Sequence, residues 1–127
     1  MKAQTDLDLL ASRVLDGAFA VHRALGPGLL ESVYEVCLCH ELQKAGIRHL
    51  RQVKVPIFYD GAELDAELRL DLLVESCLVV EIKAIEILAT IHMAQMLTYL
   101  KITGHHLGLL INFNATLLKT GIKRVVL

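Results

Sequence analysis

Two apolar runs in the middle of the chain are interrupted by groups that can do chemistry. Leu70-Asp71-Leu72-Leu73-Val74 and Leu78-Val79-Val80-Glu81-Ile82-Lys83-Ala84 carry two carboxylates and an amine among residues typical of buried strands. Burying such groups is expensive unless they pair or hold a cation, so their presence needs a reason. Alternation along a strand puts Glu81 and Lys83 on one face and Ile82 on the other. Whether Asp71 joins them depends on hairpin register or on a bulge. A three-residue loop at Glu75-Ser76-Cys77 sets Asp71 opposite Glu81, whereas a two-residue loop at Glu75-Ser76 sets it opposite Val80 and on the other face. Two carboxylates on one face, with the main-chain carbonyl of Ile82 nearby, form an oxygen-donor set suited to Mg²⁺ or Mn²⁺. A lysine two residues beyond the second acid can hold a metal-bound water and favour its hydroxide form. That combination suits phosphodiester hydrolysis. The alternative is an ordinary Glu–Lys or Asp–Lys pair on a wet sheet face.

These side chains need a scaffold. Apolar residues recur at helical spacing over 6–25, with Thr5 placed as the N-cap, and Gly26-Pro27-Gly28 ends the helix. A second helix over 29–45 is closed by Gly46. Strands follow over 52–59, 63–74 and 78–84, the first two joined by an Asp60-Gly61 turn. A third helix covers 88–103, ended by Gly104, and strands over 106–112 and 122–126 complete the chain. The order α-α-β-β-β-α-β-β predicts an α/β fold, a mixed sheet with helices packed on it, as a single domain over 1–127.

The helices add candidates. Met93, Met96, Leu97 and Leu100 make the core stripe of the third helix, while His92, Gln95 and Tyr99 make a separate one. Gln95 and Tyr99 could reach a phosphate or orient a neighbouring Lys or carboxylate, or could line a solvated face. The second helix presents Glu31, Tyr34 and Glu35 on one face. Glu31 could serve the site as a third acid, or simply favour the helix N-terminus. Arg48, His49, Arg51 and Lys54 could face phosphate or deter edge-strand aggregation. Cys37, Cys39 and Cys77 contain no CxxC pair and read as small core residues, and His105-His106 reads as a loop leading into a strand.

The 127 residues are 54% hydrophobic, with eight Gly besides, above the roughly 45–50% usual for soluble proteins. The excess points to a homo-oligomer, a dimer first. No apolar run reaches membrane-spanning length, and the N-terminus carries acids where a signal peptide is apolar, so a cytoplasmic protein with no membrane partner is expected. The formal charge of −1 excludes a uniformly basic nucleic-acid coat. It conceals an asymmetry, because residues 55–86 hold eight acids against Arg69 and Lys83, while 87–127 hold no acid against Lys101, Lys119, Lys123 and Arg124. Such a division could set a cation site beside a polyanion path, or arise by chance.

Gly28-Leu29-Leu30-Glu31-Ser32-Val33-Tyr34 resembles the heptad of the GxxExxY proteins. The likeness runs from about Leu9 to Leu127 through Arg51-Gln52-Val53, Asp71-Leu72-Leu73-Val74, Glu81-Ile82-Lys83-Ala84, Gln95-Met96-Leu97-Thr98-Tyr99-Leu100 and Gly108-Leu109-Leu110-Ile111-Asn112-Phe113. That family is similar to a branch of the PD-(D/E)xK nuclease superfamily, which implies a restriction-endonuclease-like core. Leu70 stands where the superfamily's name has Pro. The resemblance implies that Asp71 and Glu81 are metal-binding acids, Lys83 the catalytic lysine, Glu31 the acid of the first core helix, and Gln95 and Tyr99 a QxxxY motif. The expected function is therefore Mg²⁺- or Mn²⁺-dependent hydrolysis of DNA or RNA. The rival expectation is an inactive member serving as a nucleic-acid or protein interaction module, and a third is a small oligomeric structural domain whose charges merely pair.

Overall fold

The computed structural model describes residues 4–127. Its elements are α1 (Gln4–Leu25), α2 (Glu31–Lys44), β1 (His49–Tyr59), β2 (Ala62–Val74), β3 (Leu78–Lys83), α3 (Thr90–Thr103), β4 (Leu107–Asn112), a 3₁₀ turn (Leu118–Gly121) and β5 (Ile122–Val126). The expected order and fold class hold. Boundaries move by a few residues: β1 starts three residues early. The cap expected of Thr5 lies outside the residues whose side chains are described. The α3 N-terminus is capped from inside the helix, where His92 Nδ1 accepts from the Ala89 N–H at 2.9 Å.

The strands lie side by side in chain order. β1–β2, β2–β3 and β4–β5 are antiparallel, and β3–β4 is the single parallel pair, joined across α3. β3 and β4 are central and covered on both faces, which is why they read as continuous apolar runs rather than alternating ones. One face packs Leu72, Val80, Leu109 and Ile111 against α1 and α2. The other packs Leu70, Val79 and Leu110 against Met96 and Leu100 of α3. Gly108 lets α3 come close, since a Cβ there would lie 2.4 Å from Met96 Sδ.

The heptad Gly28–Tyr34 has a structural explanation at its two ends. Gly28 takes φ +101, a conformation that side chains rarely adopt. The buried Tyr34 hydroxyl donates to Gly26 O at 2.6 Å and accepts from the Leu29 N–H at 3.1 Å, fastening the α1–α2 loop. Its ring stacks on Phe113 with centroids 4.6 Å apart. Glu31, between them, stands exposed in the first turn of α2.

Candidate active site

The β2–β3 hairpin decides the register. Glu75 and Ser76 both take left-handed backbone (φ 49 and 58), and Cys77 N–H closes on Val74 O at 3.0 Å. Val74 then pairs with Leu78, Leu73 with Val79 and Leu72 with Val80. This is the three-residue loop, and its register sets Asp71 across from Glu81.

At that position the backbone ladder gives way to side chains. The Asp71 N–H donates to Glu81 Oε1 at 3.1 Å, and the Ile82 N–H donates to Asp71 Oδ2 at 2.8 Å. Face alternation breaks at the same point, because Leu70 packs toward α3 whereas Leu72 packs toward α1 and α2. Glu81 and Lys83 share strand parity with Val79, which packs on the α3 side, and two hydrogen bonds across the strands tie Asp71 to Glu81 and Ile82. Glu81 is buried and Asp71 and Lys83 are half-buried. Burial first, then the neighbouring Asp71 carboxylate, push the Glu81 carboxyl up to about 8, with Lys83 opposing the rise.

Tyr99 completes this side. Burial and then the carboxylates of Glu81 and Asp71 raise its phenol, which therefore stays protonated as a donor beside the acidic pair. Gln95, one turn earlier on α3, is exposed.

The donor set fits a hard divalent cation. Two carboxylates and the Ile82 carbonyl are all oxygen donors, and a cation would offset the repulsion between the two acids. Among the described residues no group of three or more His, Cys, Asp or Glu side chains is placed to hold a metal. Mg²⁺ characteristically takes one or two carboxylates and keeps waters or substrate phosphate for its other positions, so a pair is enough. Glu31 is not brought to that pair, for it opens α2, which packs on the opposite sheet face.

The acid that α2 does bury is Glu35. Its Oε2 accepts from Arg51 Nε and Nη2 at 3.0 and 2.8 Å, and its Oε1 accepts from Gln52 Nε2 at 2.9 Å. Arg51 and Val53 pair with Leu72 and Leu70, so Glu35 anchors the stretch of β1 that flanks Asp71. Gln52, between them, has φ 52. Glu35→Ala is expected to cost about 1–3 kcal/mol in denaturant unfolding, less than a fully buried pair, because the Arg51 side chain is 45% exposed and can be solvated. An unchanged midpoint and slope would show that the ion pair holds nothing in place.

Asn112 is a second residue whose role the sequence conceals. Buried at the end of β4, it accepts from the Ile85 and Asn114 N–H groups and donates to Ile85 O, fixing the loop that leaves Lys83. The Phe113 N–H holds the Lys83 carbonyl at 2.9 Å.

The cations at the β1 edge have acidic partners. Arg48 pairs with Glu75, Arg51 with Glu35 and Lys54 with Glu67, so these cations balance acids of their own chain. Burial pushes the Cys39 thiol up to about 11, which leaves it unreactive. Among the described residues no helix is long and apolar enough to cross a membrane.

No curated protein and no solved structure matches the chain. A family model described as the PD-(D/E)XK nuclease superfamily, whose nucleases generally use divalent metal ions on nucleic-acid substrates, matches residues 8–125. With nearly the whole chain matched and the α/β sheet carrying Asp71, Glu81 and Lys83 as described, the protein belongs to the PD-(D/E)XK nuclease superfamily.

Proposed function

We propose that this is a single-domain, Mg²⁺- or Mn²⁺-dependent nuclease of the GxxExxY branch, cleaving phosphodiester bonds of DNA or RNA in the cytoplasm. The observation that carries the reading is the carboxylate pair at the end of the β2–β3 ladder, with Lys83 on the same sheet face. Asp71, Glu81 and the Ile82 carbonyl would hold the ion, and Glu31 would take part only through water. A bound divalent cation would offset phosphate charge and lower the pKa of a bound water. Lys83 holds the attacking water and favours its deprotonation. Tyr99 donates its hydroxyl proton as a hydrogen bond toward the acidic side of the site or the phosphate, and Gln95 reaches substrate from the exposed turn above it. The branch is supported by the heptad, whose Gly28 and Tyr34 hold the α1–α2 loop.

Metal binding tests the reading without requiring turnover. Calorimetric titration with Mn²⁺ should give a saturable heat that Asp71→Ala removes while the circular dichroism spectrum is kept. An identical titration for both proteins would remove the metal site. Nucleic-acid binding indifferent to divalent ions, with no nicking of any substrate, would favour the interaction-module reading, toward which the net charge of −1 leans.

A further inference from the structure

β1 and β2 outrun the sheet that holds them. β2 pairs with β3 only from Leu72 to Val74, so the outer parts of β1 and β2 continue as a two-stranded ribbon. Residues 56–67 are exposed throughout, apart from the half-buried Ile57. A two-stranded ribbon is marginal in water without a layer over it. This one also exposes Phe58, Tyr59 and Leu64 at 64%, 71% and 44%.

The charge of the ribbon limits what can cover it. Asp60–Glu67 contains Asp60, Glu63, Asp65 and Glu67 and no base, which repels nucleic acid. Extension of the sheet along the β1 edge is obstructed by Pro56, which lacks an N–H, and by the register shift between Pro56 and Phe58. The exposed rings and the acidic charge call for a partner surface that is basic and apolar.

This chain has such a surface at its other end. Residues 87–127 contain no acid, and Lys101, Lys119 and Lys123 form no ion pair among the described residues. The same segment exposes Ile87, Ile91 and Leu117. A cleft of about 670 Å³ opens there, with Ile87, Leu117, Asn114 and Lys123 on its walls and Glu86 its one acid. It has room for an aromatic side chain.

We propose that two copies of this chain form a two-fold dimer by exchanging arms. The acidic ribbon of each copy lies on the lysine-bearing C-terminal segment of the other, with the ring of Phe58 or Tyr59 directed at the cleft beside Lys123. Such an interface is self-complementary, as two-fold symmetry requires. It covers both the unsupported ribbon and exposed apolar surface of the C-terminal segment.

A charge swap tests it with the full chain. Glu63→Lys/Asp65→Lys takes residues 56–67 from −4 to 0, and Lys119→Glu/Lys123→Glu takes residues 87–127 from +4 to 0, each placing reversed charges at the contact. Sedimentation velocity should show a wild-type dimer weakened at least about tenfold in either variant alone, because the net attraction is then lost at both contacts. An equimolar mixture of the two variants should recover a heterodimer, since both contacts are complementary again. Phe58→Ser/Tyr59→Ser should also be monomeric, with an unchanged far-ultraviolet spectrum. A wild type that stays monomeric at every concentration overturns the proposal. So does a dimer that all three variants retain, or a mixture no more associated than its components. None of these readouts depends on cleavage.

Discussion

Lys83→Ala should lower metal-dependent cleavage by roughly 10²–10⁴-fold, the range associated with one positioned proton-transfer group, while the fold stays intact. Lys83 is the last residue of β3, opposite Asn112, and its backbone is fixed independently of its side chain by the Phe113 N–H. The half-buried amine can be removed without opening a cavity in either apolar cluster. Lys83→Arg should not restore the rate, because a planar guanidinium cannot replace a compact ammonium at a water position. Glu81→Ala should lose both cleavage and Mn²⁺ binding, whereas Lys83→Ala should lose cleavage and keep the metal. The measurement is nicking of single- and double-stranded DNA and RNA with Mg²⁺ or Mn²⁺, alongside the Mn²⁺ titration. Wild-type rates in both purified variants would refute the nuclease reading.

The residues differ in how far the sequence reveals them. Lys83 and Glu81 share a face by alternation alone, and their ionisable character within an apolar run makes them conspicuous. Asp71 is less determined, because strand parity permits two registers. What selects between them is the pairing of Val74 with Leu78, which leaves Cys77 as an extra residue after the left-handed Glu75-Ser76 turn. Glu31 and Glu35 lie one turn apart on the same helix face, so helical spacing cannot rank them. The ranking comes from β1, where Arg51 and Gln52 reach Glu35 across sixteen and seventeen positions of chain. Asn112 ends an apolar strand as a turn residue would, and its bonds to Ile85 depend on the parallel β3–β4 pair. Local pattern thus reveals elements and faces, whereas long-range pairing decides which acid is buried and which is free.

Glu81 should make the metal-free protein less stable as pH rises, the reverse of an ordinary salt-bridged acid. Its carboxyl is pushed from 4.5 up to about 8 in the fold, first by burial and then by Asp71. Between those values the native chain keeps a proton that the unfolded chain releases. The contribution is complete below the unfolded value and is lost as pH climbs toward about 8, at a slope near 1.4 kcal/mol per pH unit. Glu81→Gln keeps an oxygen for the Asp71 N–H and cannot ionise, so its stability should lack that slope. With chelator present, the variant should therefore melt above wild type at about pH 8 and draw level toward pH 4.5. Adding Mg²⁺ or Mn²⁺ should raise the wild-type melting temperature, most at the alkaline end, and leave the variant almost unmoved, because ligand binding to the native state alone stabilises it. Melting curves of the two metal-free proteins that stay parallel across this range would sink the linkage. A substitution expected to stabilise the empty fold at alkaline pH is thus also one expected to end metal binding, which makes the buried acid a cost the fold carries for its site.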